Sequence, residues 1–410
     1  MRTPRLYFVN RFFYPDHSAT SQILSDLAFH LADQGKAVSI ITSRGLYDDP
    51  HADLPSYDEL RGVSIHRVCR PRFGRASLRG RALDYLTMYY GFAAAAWSLV
   101  KPNDYLIVKT DPPLLSSALA PIARLKGVAM INWLQDLYPE IAVAAGMRGI
   151  GIAAPLLVAI RNMSLRNAVA NVAIGDLMTK ELYACGIGAD RIATIPNWCD
   201  DESIKPQPIS ASPLRTEWGL EGKFVVGYAG NLGRVHEYET VLGAAELLRN
   251  ERDFVFLFIG GGHRTNALKA EVAKRDLGGV FQFRPYQDSA RLGDALSVPD
   301  VHWISLLPKM EGLIVPSKFY GIAAAGRPMI AIADGDGEVA RLVQNFDCGA
   351  AVAPGNSDGL ATVLSLMRED PKRRIEMGHN ARAMLDRFFS KQDALGRWTK
   401  LIDSLGFMSD

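Results

Sequence analysis

The feature that most constrains this 410-residue sequence is an alternation running almost its whole length. Short apolar runs rich in valine and isoleucine each precede a longer stretch with helical spacing. In the first half the runs at 5–10 (RLYFVN), 37–42 (AVSIIT), 63–68 (VSIHRV), 104–109 (DYLIVK), 128–133 (VAMINW) and 169–174 (VANVAI) predict strands. Helices are predicted between them at 19–34, 82–100, 114–126, 152–168 and 176–185. The pattern returns with strands at 224–229, 254–260, 280–284, 301–306 and 329–333. Such alternation closes as a parallel sheet with crossover helices on both faces, and two sets of it make two doubly wound α/β domains. The polar stretch "NWCDDESIKPQPISASP" (197–213), with three prolines, is the expected linker, which places the domains at 1–205 and 206–388. The tail "KQDALGRWTKLIDSLG" (391–406) reads as one amphipathic helix.

Composition narrows the class. A hydrophobic content of 48% with 22% charged residues is that of a folded globular chain, and a net charge of +2 argues against a nucleic-acid partner. Cys69, Cys185, Cys199 and Cys348 share no CxxC spacing and are expected as reduced, buried thiols. Arg11 interrupts the apolar start "MRTPRLYFVNRFF", leaving too short a run for an export signal, so a cytoplasmic chain is expected. The segment "ALDYLTMYYGFAAAAWSLV" (82–100) is long enough to span a bilayer. Asp84, Thr87, Ser98 and the lack of a second span favour a core helix instead.

Open parallel sheets bind ligands beyond the carboxyl ends of their strands, so the chemistry is sought on those loops. After the first strand, Ser18, Ala19 and Thr20 open a helix and leave room for an anion at the backbone; ordinary N-capping would use the same residues. No GxGxxG is present there, which disfavours a dinucleotide enzyme. In "YAGNLGRVHEYET" (228–240), Gly230 and Gly233 flank a turn and Arg234 stands before the next helix, suited to a phosphate. His236 and Glu237 would equally cap that helix. "FIGGGHRTNAL" (258–268) brings Gly261 within a glycine triplet, and "FRPYQD" (283–288) offers Pro285 and Tyr286 as a wall for a nucleobase. In "EGLIVPSKFYGIAAAGRP" (311–328), Ser317 is the expected N-cap of a helix, and the N–H groups of Ser317, Lys318 and Phe319 would meet a phosphate. A lysine in a first turn opposes the helix dipole, so either an anion or plain solvation accounts for Lys318. Together these loops read as a diphosphate site. Asp136 in "WLQDLYPE", after an apolar strand of the first domain, is a candidate functional carboxylate or a helix N-cap.

The pieces "QDLYPE" (135–140), "IPNWCD" (195–200), "YAGNLGRVHE" (228–237), "FIGGG" (258–262), "PSKFYGIAAAGRP" (316–328) and "GEVARLV" (337–343) resemble the family-4 retaining glycosyltransferases of GT-B fold. The resemblance is greatest to the branch holding N-acetylfucosamine transferases of bacterial O-antigen and capsule assembly. It implies two Rossmann-like domains, the first for the acceptor and completed by the C-terminal helix (389–410), the second for a nucleotide-sugar donor. It implies that Arg234 stabilises the donor diphosphate, that Gly230 and Asn231 share its loop, and that Ser18, Ala19 and Thr20 close over the phosphates, although the usual glycine pair is absent.

Two departures stand out. Where the family commonly has a lysine five residues after the arginine, this chain has Glu239. Where it commonly has two glutamates eight positions apart, this chain has Leu313 and Gly321, with Glu311 two residues out of register. Lys318 is then expected to supply the missing charge, and Glu311 to reach a donor hydroxyl. No His, Asp or Glu cluster has ligand spacing, so transfer without a metal or other cofactor is expected.

The resemblance also implies a polyprenyl-diphosphate-linked acceptor. Arg67, Arg70, Arg72, Arg75, Arg79 and Arg81, with no acid until Asp84, are expected to hold the protein peripherally on the inner face of the cytoplasmic membrane, with the flank of Tyr85, Met88, Tyr89 and Tyr90 dipping into the interface; a solvated basic loop before a core helix is the alternative. The other readings kept open are a nucleotide-sugar epimerase of the same architecture and a weakly catalytic donor-binding subunit of a polysaccharide complex.

Overall fold

The computed structural model describes residues 4–49, 52–68, 78–147 and 150–406. The chain divides into two compact units, Met1–Pro196 with Ala394–Asp410, and Asn197–Asp393.

The first unit is a sheet of order β3-β4-β2-β1-β5-β6-β7-β8. Its strands are β1 (Leu6–Val9), β2 (Val38–Thr42), β3 (Tyr57–Leu60), β4 (Val63–Arg67), β5 (Tyr105–Lys109), β6 (Ala129–Trp133), β7 (Ala170–Ala173) and β8 (Ile192–Thr194). All neighbours pair in parallel except β3, which runs antiparallel on β4. The central strands are buried along their whole length because helices cover both faces. Those helices are α1 (Ala19–Asp33), α2 (Leu78–Leu99), α3 (Leu115–Lys126), α4 (Glu140–Ala144), α5 (Ile150–Asn167) and α6 (Asp176–Ala184).

The second unit is a sheet of order β11-β10-β9-β12-β13-β14, all parallel. It comprises β9 (Phe224–Asn231), β10 (Phe254–Gly261), β11 (Phe281–Arg284), β12 (Val301–Ser305), β13 (Met329–Ile332) and β14 (Gly349–Val352). Its helices are α7 (Pro213–Glu217), α8 (Glu239–Leu247), α9 (Thr265–Lys274), α10 (Leu292–Ser297), α11 (Lys318–Ala324), α12 (Glu338–Asn345), α13 (Ser357–Glu369) and α14 (Pro371–Phe388). Its core is aromatic: Tyr228 stacks on Phe258 at 5.1 Å and leans on Trp303 at 4.3 Å. Helix α15 (Lys391–Ser404) ends the chain, and its residues from Ala394 onward belong to the first unit. There Trp398 meets Trp133 at 4.6 Å, and Asp403 pairs with Lys36 at 2.5 Å.

The stretch 197–213 is not a loose linker. Asn197, Trp198, Ile204 and Ser212 are buried, and Ile204 joins a core cluster with Leu296, Ile304 and Phe319. Its prolines fix a path along the second unit instead of loosening it, so the boundary falls at 196/197 and not at 205/206. Phe389 likewise packs on Phe319 and Tyr320, extending that unit to Asp393. No described helix is long and apolar enough to cross a membrane. The core-helix expectation for 82–100 holds on one face of α2 only: Met88, Phe92 and Ala96 are buried, whereas Leu86, Tyr90 and Trp97 are exposed. Cys348 is buried and free, Cys185 and Cys199 are half-buried and free, and Cys69 lies outside the described residues.

Candidate active site

In the second unit the winding reverses between β9 and β12, the switch point at which open α/β sheets form a ligand crevice. The ends of β9 and β10 come backbone against backbone there, with Gly260 opposite Gly230 and Gly261 opposite Asn231. Gly260 has φ +130°, and a Cβ on it would sit 2.4 Å from the Gly230 oxygen, so only glycine allows this approach. The N–H of Leu232 donates to the Gly261 oxygen at 2.8 Å and fixes the two loops together. Tyr286, exposed after β11, lies against Gly261, where an added Cβ would meet its ring at 3.1 Å. Pro285 beside it is also exposed. The pair therefore presents a flat aromatic face next to the glycine loop.

Lys318, in the first turn of α11, is not a solvated surface lysine. Its side chain folds back over Gly230 and donates to the Asn231 oxygen at 3.0 Å, with its amine 4.9 Å from the Tyr228 ring centre. Burial lowers the amine to about 8. His236 Nε2 lies 3.4 Å from the Lys318 amine, and Nδ1 lies 2.8 Å from the Ser305 carbonyl oxygen. A carbonyl only accepts, so Nδ1 carries the proton and Nε2 offers its lone pair to Lys318. Burial, then Lys318, press the imidazole down to about 3, so it stays neutral. His236 therefore holds Lys318 and caps nothing. Glu237 is the cap: it accepts from the Thr240 N–H at 2.7 Å, and its own N–H donates to Ser305 Oγ at 3.1 Å.

Arg234 is exposed on the loop after β9 and has no ion pair or hydrogen bond among the described residues. Asn231 is exposed beside it. Glu239, which stands where the resemblance expects a lysine, turns away to pair with Arg275 at 2.6 Å. Ser317 occupies the N-cap position of α11, but its hydroxyl caps nothing. Phe319 corrects the expectation drawn for it: its ring is buried in the core and its N–H donates to the Pro316 oxygen at 3.3 Å, so neither is open to a ligand. Glu311 Oε2 accepts from the Glu338 N–H at 3.2 Å at the start of α12, while Oε1 is buried without a hydrogen-bond partner. Burial, aided by Asp334 and Glu338, pushes this carboxyl up to about 7.

In the first unit the loop after β1 is braced from below. Buried Asp16 accepts from the Ser18 N–H at 2.8 Å and from its hydroxyl at 2.5 Å, and its other oxygen accepts from the Tyr47 N–H at 2.6 Å. Ser18 is thus turned inward, and the N–H groups of Ala19 and Thr20 are first-turn donors of α1 without an intrahelical acceptor. The Thr20 oxygen accepts from the amine of Lys109 at 2.9 Å. Lys109 is 1% exposed and lies 3.9 Å over the Trp133 ring, and burial drives its amine well below the usual lysine range. Sequence reasoning missed it, because a lysine ending "DYLIVK" looks like the polar edge of a strand. Asp136 is no helix cap, since α4 starts at Glu140 after Pro139. Burial pushes its carboxyl up to about 6 against a hydrogen bond from Thr110, and Oδ1 is buried without a partner.

The arginine run is corrected at its first member. Arg67 is buried, pairs with Asp58 at 3.5 Å and donates to the Tyr14 oxygen at 3.2 Å, so it is not offered to a membrane. Arg70, Arg72 and Arg75 lie outside the described residues, as do the side chains of Arg79 and Arg81.

Residues 19–198 match the family described as Glycosyl transferase 4-like domain, and residues 212–384 match Glycosyl transferases group 1. The chain is 26% identical over 338 residues to a Pseudomonas aeruginosa protein named "Probable glycosyltransferase WbjE", covering 82% of this chain and 83% of that one. It is 26% identical over 274 residues to an Escherichia coli protein named for colanic acid biosynthesis, the glycosyl transferase WcaI, covering 65% of this chain and 66% of that one. The crystal structure of Anabaena HepE in complex with UDP-glucose superposes with a TM-score of 0.72 at 16% identity, covering 98% of this chain and 99% of that one, a likeness of fold. With two Rossmann-like sheets and these two matches in order, the chain is a glycosyltransferase of GT-B fold, a 4-like domain followed by a group 1 domain.

Proposed function

We propose that the protein is a retaining glycosyltransferase that moves a hexosyl or N-acetylhexosaminyl group from a UDP-linked donor to a polyprenyl-diphosphate-linked saccharide at the cytoplasmic face of the membrane. The observation that carries this reading is the pair of cations at the switch point of the second unit. Arg234 is exposed and unpaired, and Lys318 is held over the same glycine loop by Asn231 and His236.

In this reading Arg234 takes two phosphate oxygens through its fork, and Lys318 is fully protonated once an anion sits beside it. As the sugar leaves, negative charge grows on the β-phosphate, and the two cations stabilise it in place of water. The departing phosphate oxygen accepts the acceptor's proton, so the transfer needs no protein base. Tyr286 beside Gly261 serves as a surface for the base, and Glu311, whose buried Oε1 has no hydrogen-bond partner, takes a donor hydroxyl in this reading. Asp136, with its free Oδ1, serves the acceptor in the first unit. The uridine preference rests on the resemblance to the N-acetylfucosamine transferase branch.

The test is thermal stabilisation by UDP and by GDP, followed by transfer from the matching sugar nucleotide with the anomeric configuration of the product read by NMR. UDP should raise the melting temperature and the product should keep the donor configuration. Stabilisation without transfer would mark a donor-binding subunit, and turnover of the donor alone would mark an epimerase.

A further inference from the structure

Three helices of the first unit lie side by side, with α3 packed between α2 and α5. Each sends one stripe into the core, such as Met88, Phe92 and Ala96 from α2 and Leu115, Leu119 and Ala123 from α3. The opposite stripe of a solvated helix normally carries charge. On α2 it is Leu86 (64% exposed), Tyr90 (77%) and Trp97 (53%), with Leu83 one turn before. On α5 it is Ile152 (93%), Leu156 (65%) and Met163, and α3 adds exposed Leu125. At 100° per residue each stripe stays within roughly 60° of one line along its helix. Single exposed apolar residues are ordinary, but aligned stripes on adjacent helices mark a contact surface.

Charge identifies what the surface meets. The three helices contain one acid, Asp84, and it is buried. They contain Arg79, Arg81, Arg124, Lys126, Arg161 and Arg166. Arg161 is neutralised by Glu140 at 2.6 Å, whereas Arg124 and Arg166 are exposed near the C-terminal ends of α3 and α5. Lys126 donates to the Val100 oxygen at 2.8 Å and sets its ammonium 5.2 Å from the Trp97 ring centre, a cation at the rim of the apolar face. A second copy of this face would bring the same cations together across a twofold axis. A surface of hydrocarbon rimmed by phosphate satisfies both components: the stripes enter the acyl boundary, the cations meet headgroups, and Tyr90 and Trp97 have the amphipathic rings favoured at that depth.

We propose that the face formed by α2, α3 and α5 lies in the plane of an anionic phospholipid bilayer, with Leu86, Tyr90, Ile152 and Leu156 buried in its interface. This moves the membrane contact from the arginine run, whose first member is buried, to an apolar surface that salt does not screen. It is independent of the donor reading, because either can fail while the other stands.

The experiment is flotation of the full chain with vesicles of phosphatidylcholine, with and without phosphatidylglycerol, at low and high salt. The protein should float with phosphatidylglycerol vesicles and keep a substantial bound fraction at high salt. Leu86→Glu with Tyr90→Glu, and Ile152→Glu with Leu156→Glu, should each lower partitioning tenfold or more at an unchanged melting temperature. Quenching by brominated lipid supplies a readout without added charge: it should be strong in the wild type and reduced in Trp97→Phe. Absence of flotation, variants that float like the wild type, or quenching unaltered by Trp97→Phe would overturn the proposal. So would a solution dimer that the glutamate substitutions dissociate, which would make the face an interface between copies.

Discussion

Lys109 ends the central strand β5, Lys318 opens α11 with its amine on the Asn231 oxygen at the end of β9, and burial depresses both amines. Their surroundings differ in one respect that decides their use. Lys109 is sealed between the Thr20 oxygen and the Trp133 ring, with no path for an anion to reach it. Lys318 is only half-buried, rests on a neutral histidine and a carbonyl, and reaches the loop that carries Arg234, which has no ion pair among the described residues. The first unit uses its lysine as an internal brace for the start of α1. In the proposed reading the second unit keeps its lysine at the glycine loop for a charged ligand. Both are lysines with depressed amines, one ending a strand and one opening a helix, and what separates them is solvent access.

Substitutions separate the two roles. Arg234→Ala and Lys318→Ala should each lower transfer by about tenfold to a hundredfold, the size of a lost charge contact, with the melting temperature nearly unchanged. Near-normal turnover in both would remove the diphosphate assignment. Lys109→Ala should act on stability instead, by about 2–4 kcal/mol through the cavity it leaves, while UDP binding in the second unit persists. Lys109→Met keeps the stem and should recover the packing part of that loss but not the hydrogen bond to Thr20; a Lys109→Met protein as stable as the wild type would show that the amine braces nothing.

The smallest effect concerns Glu311. Its carboxyl titrates near 7 in the folded chain and near its ordinary value of 4.5 when unfolded, so the folded state binds the extra proton between those values. The stability this group contributes is present below about pH 4.5 and is lost as pH rises through 7. Glu311→Gln should flatten that part of the stability profile by about 1–2 kcal/mol, read from denaturant melts at pH 5 and pH 8. An unchanged profile would mean that the carboxyl is already ionised against α12.

The sheets were legible because buried parallel strands must be apolar along their length, and runs such as "LIVK" and "FVFLFIG" leave little choice. The short edge strands β3 and β8 and the last strand β14 escaped. "YDEL" at β3 is polar and held by pairing with β4, and pairing is not written in hydropathy. The positions of Arg234 and the glycine loops were legible, since strand ends in an open sheet lead into loops: Arg234 is exposed after β9, and Gly260 lies opposite Gly230. The partner of Glu311 was not, because it lies 27 positions away on α12 and depends on how two loops meet. Lys109 was missed and Arg67 misjudged for one reason: charged residues at strand ends are usually solvated, and only the packed neighbours reveal a buried one. The exposed stripes of α2 and α5 look like core stripes in sequence, because helical spacing shows that a face is apolar and not whether anything covers it.

The central claim is that Lys318 and Arg234 receive a nucleoside diphosphate in the second unit. Calorimetric titration of UDP into the wild type, Lys318→Met and Arg234→Ala between pH 7 and pH 9.5 tests it most directly. The free Lys318 amine titrates near 8, and a bound diphosphate raises that value. Binding must then take up a proton above pH 8, so wild-type affinity should fall with rising pH by up to about tenfold per unit. Lys318→Met should bind more weakly and without that slope, and Arg234→Ala more weakly with the slope retained. A wild-type affinity that is flat across pH 8, or a slope that survives in Lys318→Met, would contradict the account.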